Sequence, residues 1–267
     1  MLKSPIARMF TAGALVLAGF AIPLSASHSW ELYHWARTSN PLALKVGDNV
    51  SPAWDSYLTT AIFDWNQSDV LELTAVPGGA GRPRQCRPTA GRIEVCSEKY
   101  GNTGWLGVAQ IWISGDHITQ ATTKLNDTYF VTATYNKPAW RQMVTCQEVG
   151  HDFGLDHQDE TFNNPNLGSC MDYTNDPSSN QHPNLHDYEQ LDLIYGHLDA
   201  TTTAGASTLP NAMPPAMGQI DFDTPAQWGR QIARSRNGRQ AVYELDFGRG
   251  NRVITHVFWA DPEADAR

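Results

Sequence analysis

The sequence predicts an α+β fold, since strand-like and helix-like patterns are interspersed along most of the chain. Residues 42–46 alternate apolar with polar or small side chains, the pattern of a strand with one buried face. Residues 54–65 instead place apolar side chains at the three- and four-residue spacing of a helix. Further strand-like runs cover 70–76, 105–113 and 118–125. We therefore expect a sheet with helices packed against it.

The second half of the chain predicts two more helices and a hairpin. Pro138 suits the first turn of one helix, and Gly196 is a stop signal for another that begins near Asp187. Residues 200–218 are rich in Thr, Ala, Gly and Pro, which is typical of a linker. Beyond it, two alternating runs flank the turn 248–251 and predict a β-hairpin.

The beginning of the chain predicts export. Residues 1–27 combine a basic start, an apolar run and small residues at the end, the pattern of a cleaved signal peptide. We therefore expect a secreted monomer with a main domain at 28–199, a linker at 200–218 and a small β-rich extension at 219–267.

Charge and hydropathy exclude two classes of partner. The chain of 267 residues has a formal net charge of −9, and loss of a segment carrying Lys3 and Arg8 would make it more negative. Nucleic acid and anionic membrane surfaces are therefore not expected as partners. The apolar run near the start is too short for a comfortable membrane span, and no other such run follows it.

The most specific stretch is 146–157, Cys-Gln-Glu-Val-Gly-His-Asp-Phe-Gly-Leu-Asp-His, followed by Cys-Met-Asp-Tyr at 170–173. On a helix, Gln147 and His151 share one face and Glu148 lies beside them. Gly154 lets the chain leave the helix, so that His157 can return to the same point. A helix that only packs requires neither that glycine nor a third aligned side chain, whereas a tetrahedral metal ion does.

This spacing resembles the pattern H-E-x-x-H-x-x-G-x-x-H, followed by a methionine turn, of the metzincin zinc peptidases. The matching positions are Glu148, His151, Gly154, His157 and Met171. The first histidine of the pattern is replaced by Gln147. The resemblance implies a metzincin-like fold, in which a mixed twisted sheet packs on two long helices and is followed by the Met-turn and a C-terminal helix.

The resemblance also implies a secreted zinc endopeptidase that acts on protein or peptide substrates. Zn²⁺ is expected on Gln147, His151 and His157, where it lowers the pKa of a bound water to about 7. Glu148 is expected to accept the proton of that water and to deliver it to the leaving amine. Because a neutral amide oxygen is a poorer zinc donor than imidazole, we expect weaker zinc binding than in an all-histidine relative.

The resemblance assigns roles to five further residues. Tyr173 is expected near the metal, as a ligand at rest and a hydrogen-bond donor to the intermediate; a buried tyrosine bonded to the backbone is the other interpretation. Met171 is expected to form a hydrophobic floor. Gly107, Val108 and Ala109 are expected to border the cleft, where a peptide could add to the sheet as a strand, or to form an ordinary sheet edge.

Four cysteines in an exported chain predict two disulfides, although four cysteines permit three pairings. Cys86 and Cys96 flank a Gly/Pro/Arg-rich loop. A bond between Cys146 and Cys170 would join the motif helix to the turn beneath the ion. Cys146 could instead be a thiolate ligand, but its side chain points about 100° away from the metal-binding face, which favours the disulfide.

Two alternatives to a peptidase remain. The chain could be a binding protein on a protease fold, in which Gln147 marks the loss of metal, or an extracellular domain whose active part is the C-terminal hairpin. Glu148 favours catalysis, because a binding module has no evident use for a general base. The short stretch before the first strand has no cysteine to block zinc, so activity is expected after signal removal alone. His117 lies in a turn and is expected to be exposed.

Overall fold

The computed structural model describes residues 28–31, 33–162, 164–210, 213–218 and 222–261. The predicted signal peptide at 1–27 lies outside them. The strands of this part of the chain are β1 His34–Trp35, β2 Leu42–Asn49, β3 Leu71–Pro77, β4 Arg92–Glu98, β5 Trp105–Ser114, β6 His117–Asn126, β7 Arg230–Arg234, β8 Gln240–Gly248 and β9 Asn251–Trp259. Its α-helices are α1 Asp55–Trp65, α2 Pro138–His151 and α3 Leu185–Ile194.

One mixed sheet organises the fold, in the order β3-β2-β4-β6-β5-β9-β8-β7. Strands β3, β2, β4 and β6 are parallel, and every pair from β6 through β5 to β7 is antiparallel. β1 adds in parallel to the start of β6. The predicted α+β class with a mixed sheet is therefore confirmed.

The burial of each strand follows from its place in the sheet. β2 alternates buried and exposed residues near one end of the sheet, as its sequence pattern predicts. β5 is buried along nearly its whole length, because helix α2 packs on it and strands flank it on both sides. A strand buried on both faces reads as a continuous apolar run, which is the pattern seen from Trp105 to Ile113.

The C-terminal hairpin is not a separate extension, as its sequence suggested, but continues the main sheet. β9 pairs antiparallel with β5, with Gly107 opposite Phe258 and Ala109 opposite His256. Strand β7 extends this half of the sheet and was not predicted. Neither was β4, whose sequence was interpreted as part of the basic loop around the first cysteine pair.

Helix α2 lies in the core, and nearly all of its residues from Trp140 to His151 are buried. Lys137 caps it in an extended conformation without a side-chain bond, and Pro138 occupies the first turn, as predicted. Helix α1 packs against it, and Trp65 donates from Nε1 to the Cys146 carbonyl at 3.1 Å.

Both predicted cysteine pairs are disulfide-bonded. Cys86 bonds to Cys96, and Cys146 bonds to Cys170. The second bond joins α2 to the turn that carries Met171, and it excludes Cys146 as a thiolate ligand. Among the described residues, no helix is long and apolar enough to cross a membrane.

Candidate metal centre

The candidate metal centre begins at the last residue of α2. His151 is 1% exposed, and its Nδ1 lies 2.9 Å from the Leu155 carbonyl. Because that carbonyl can only accept, Nδ1 carries the proton and Nε2 keeps a lone pair for a metal. The chain can fold back in this way because Gly154 has φ +92°, and a Cβ there would lie 2.1 Å from the Tyr33 carbonyl oxygen.

The return of the chain brings His157 onto His151. Their Nε2 atoms are 3.1 Å apart. On the far side of the ring, His157 Nδ1 lies 2.9 Å from the Tyr173 hydroxyl and 3.2 Å from Asp156 Oδ1. Nδ1 is thus held by supporting groups, which leaves Nε2 to act as the metal donor.

The third histidine of the cluster is His256, which sequence analysis missed. It lies on β9 opposite Ala109, and its ring stacks on that of His151 with centroids 4.1 Å apart. Donor nitrogens of His151, His157 and His256 all lie within 4.8 Å of one another. Burial, as the largest cause, lowers the pKa of His256 to about 3, so the ring is neutral at neutral pH.

The donor types suit a zinc ion, and His256, which is stacked on His151, must turn for a nitrogen of each ring to point at one ion. His256 is 1% exposed, and neither of its ring nitrogens has a hydrogen-bond partner among the described residues. A buried polar group without a partner costs about 1–3 kcal/mol, a cost that a bound cation would relieve. Three neutral imidazoles are one of the ligand sets that zinc takes in catalytic sites.

Gln147 is placed differently from the prediction. Its Nε2 donates to the Cys170 carbonyl at 2.8 Å, and its Oε1 accepts from Gln240 Nε2 at 3.0 Å. Both ends of the buried amide are therefore occupied by the protein. The structure thus places His256, rather than the Gln147 amide, beside His151 and His157.

Glu148 is buried on the side of α2 that faces β5. It is 1% exposed, and its Oε2 has no partner among the described residues. Burial is the largest cause that raises its pKa well above the ordinary value, and repulsion from Asp152 adds to it. A hydrogen bond from the Ala109 backbone acts in the opposite direction. A raised pKa makes this carboxylate a stronger base once it is ionised, and a zinc ion bound nearby would favour the ionised form.

The strand edge that was predicted to bind substrate is paired with another strand of the same chain. Gly107, Val108 and Ala109 pair with β9, so this part of β5 is not a free edge. The missing side chain of Gly107 makes room for Glu148: a Cβ there would lie 2.7 Å from Glu148 Cγ and Oε1. The absence of a side chain at Gly107 therefore makes room for the Glu148 carboxyl on α2 and not for a peptide backbone.

Tyr173 and Met171, two residues to which the resemblance assigned roles, pack against the candidate metal centre. Tyr173 is buried, and its hydroxyl contacts the supporting nitrogen of His157 rather than the backbone. Met171 lies under α2, and a Cβ on Gly150 would be 2.7 Å from the Met171 sulfur. The thioether therefore forms an apolar floor directly beneath the helix turn that ends in His151.

No family model and no curated protein matches this sequence. Among solved structures, the chain is similar to High choriolytic enzyme 1 (HCE-1), a hatching enzyme zinc-protease from Oryzias latipes (Medaka fish). The sequence identity is 13%, the TM-score is 0.35, and the alignment covers 61% of this chain and 94% of that one. A likeness of this degree assigns neither a family nor a function.

Proposed function

We propose that the protein is an exported zinc peptidase that holds its metal with His151, His157 and His256 in the described form and uses Glu148 as the general base. The observation that carries the proposal is the buried cluster of His151, His157 and His256, together with buried Glu148 on α2, the helix that ends in His151. The two disulfides support the exported location, because such bonds persist in oxidising compartments.

The chemistry divides between the metal and the chain. Zinc, when bound, supplies a water of lowered pKa and polarises the peptide carbonyl. Glu148 accepts the water proton and returns it to the leaving amine. The Leu155 carbonyl holds His151 in the donor tautomer, while Tyr173 and Asp156 orient His157. These groups pre-organise the site.

The C-terminal hairpin covers this site in the described conformation. β9 lies along β5, where an extended peptide would add as a strand, and it also carries His256. A substrate can therefore bind in that mode only after β9 leaves. If the whole hairpin leaves, it takes His256 away from the metal and frees Gln147 from Gln240 on β8, so that Gln147 would take the third ligand position beside His151 and His157 in the active form. We propose that the described form is latent, which replaces the expectation of activity after signal removal alone.

A second function is favoured by the same hairpin. If β9 never leaves, the three histidines hold zinc as a structural ion, and the protein is a binding protein without hydrolytic activity. The burial of His151, Glu148 and His256, each 1% exposed, favours this alternative. Glu148 favours hydrolysis, because a structural zinc site needs no buried general base beside it.

The two functions are separated by assaying the zinc-loaded chain on a quenched fluorescent peptide library before and after limited cleavage by a second protease. A latent peptidase gains hydrolysis that 1,10-phenanthroline abolishes. The matched control is Glu148→Gln, treated identically, which reports any activity of the added protease. If parent and variant both bind zinc and show the same background at every degree of cleavage, the peptidase proposal is wrong and the structural zinc protein stands.

A further inference from the structure

A second group of metal-binding side chains lies away from the candidate metal centre, where three distant segments meet. His34 belongs to β1, His117 begins β6, and His197 and Asp199 follow α3. β1 and β6 pair so that His34 stands directly opposite His117. The backbone of the fold therefore brings these imidazoles together, before any side-chain contact is considered.

The ring nitrogens converge on one carboxylate oxygen. Asp199 Oδ1 lies 3.2 Å from His117 Nε2, 3.4 Å from His34 Nε2 and 3.6 Å from His197 Nε2. His34 Nε2 and His197 Nε2 are 3.2 Å apart. Zinc bonds of about 2.0–2.1 Å place neighbouring donors of a tetrahedral ion roughly 3.3–3.4 Å apart. The three separations among His34 Nε2, His197 Nε2 and Asp199 Oδ1 lie around that value.

A hydrogen-bond network without a metal requires the rings to take different tautomers. Asp199 Oδ1 offers two lone pairs, and three rings face it with the same nitrogen. His34 and His197 cannot both donate from Nε2 to this oxygen, because their two N–H groups would oppose each other across 3.2 Å. A cation among His34, His197 and Asp199 instead accepts a lone pair from both Nε2 atoms.

The carboxylate is held in place from its other side. Asp199 Oδ2 accepts from the Arg37 backbone N–H at 2.8 Å, and the Asp199 N–H donates to the Arg37 carbonyl at 2.8 Å. The Asp199 side chain is 10% exposed and that of His34 is 8% exposed. Two of the four side chains are thus fixed and largely buried, as expected of a built site rather than a chance surface cluster.

The site is open on one side. The His197 side chain is 53% exposed and that of His117 is 36% exposed. Beside them lies a cavity of about 500 Å³ whose lining includes Glu31 and Asp116. Two acidic side chains at the entrance favour the approach of a cation, and the cavity provides its path.

We propose that His34, His197 and Asp199 bind a zinc ion. His117 Nε2 lies 3.2 Å from Asp199 Oδ1 and would support the carboxylate from outside the ligand set. The ion would join the N-terminal segment to the segment after α3. This site does not depend on the proposed peptidase function.

The test is zinc stoichiometry by mass spectrometry, together with the zinc-dependent shift in melting temperature, on the parent, His197→Ala and Asp199→Asn. Asn at position 199 keeps an oxygen for the Arg37 N–H but removes the charged ligand. Each variant should bind one zinc ion fewer than the parent and lose part of the shift. His182→Ala is the matched control, since that exposed histidine pairs with Asp64 elsewhere, and it should behave like the parent.

A second variant keeps the two sites distinct. His157→Ala should lose the ion of the candidate metal centre and retain the one at Asp199. A zinc ion lost in His197→Ala but not in His157→Ala supports this inference even if the peptidase proposal fails. The inference is overturned if His197→Ala and Asp199→Asn bind as much zinc as the parent, or if the parent binds none.

Discussion

The Gln240 side chain donates from Nε2 to Gln147 Oε1 at 3.0 Å, which joins the C-terminal hairpin to α2 beside the histidine cluster. Gln147 stands where the resembled motif has its first histidine. The hairpin that engages this residue through β8 also delivers His256 through β9. The hairpin therefore bonds to the residue at the substituted position and also places an imidazole, that of His256, beside the two histidines of the motif.

Replacing His256 tests its role as a ligand. His256→Phe keeps a ring of similar size but has no donor nitrogen. We expect zinc affinity at this site to fall by more than the roughly 10–100-fold that loss of a supporting partner costs. The zinc-free variant should be no less stable than the parent, because it removes two buried nitrogens without partners. Zinc titration and urea unfolding provide both readouts, and unchanged affinity would exclude His256 as a ligand.

Tyr173→Phe tests the supporting shell. The change removes the hydroxyl that lies 2.9 Å from His157 Nδ1 and leaves the ring. Zinc affinity should fall by about 10–100-fold, the usual cost of losing an outer-shell partner. Tyr188→Phe is the matched control, because that hydroxyl bonds to the Asp64 carbonyl, away from the cluster. Equal affinities in the two variants would show that Tyr173 does not orient His157.

Local patterns predicted the elements whose signals lie within a few residues. Pro138 and the helical spacing after it predicted α2, and Gly154 predicted the fold-back that brings His157 onto His151. The pairing of β5 with β9 could not be predicted in this way, because Ala109 and His256 are far apart in sequence and a strand pattern does not name its partner.

The third histidine was missed for the same reason. His256 belongs to a strand with no spacing relation to the motif, and it becomes part of the site only through strand register. The one signal was a lone histidine within an apolar strand. His117 was predicted to be exposed in a turn, but it begins β6 and its Nε2 lies 3.2 Å from Asp199 Oδ1. This contact could not be predicted from the turn, because Asp199 belongs to the distant segment after α3.

Glu148→Gln should change how stability depends on pH in the zinc-free protein. The raised pKa of Glu148 means that the folded state keeps its proton at pH values where the unfolded state has lost it. The contribution of this carboxyl is therefore present below its unfolded pKa and is lost as pH rises above that value. Glutamine does not titrate and has no such loss.

The measurement is urea unfolding of both proteins across pH 4.5 to 7. The stability of Glu148→Gln relative to the parent should rise by up to about 1.4 kcal/mol per pH unit over the interval in which only the unfolded state is ionised. Comparing two proteins that differ at one group cancels the other titrating residues. A difference that stays flat with pH would show that Glu148 is not buried as described.

Substitutions at Gln147 and Gln240 distinguish a structural Gln147 from a zinc ligand. Gln147→Ala and Gln240→Ala each leave one buried amide without its partner, so each should cost about 1–3 kcal/mol. The double variant should cost less than the sum of the two, because the second change removes the group that the first left unpaired.

Zinc affinity should be similar in the two single variants. If Gln147 coordinates zinc, Gln147→Ala alone should bind zinc much more weakly, and the additional change Gln240→Ala should restore none of that affinity. Gln110→Ala is the control, since its amide bonds to Thr255 between β5 and β9, away from the Gln147–Gln240 bond between α2 and β8. It removes the hydrogen bond of a buried side-chain amide of the same kind, and its cost should add to that of Gln147→Ala, which assigns any coupling in the cycle to the Gln147–Gln240 bond itself.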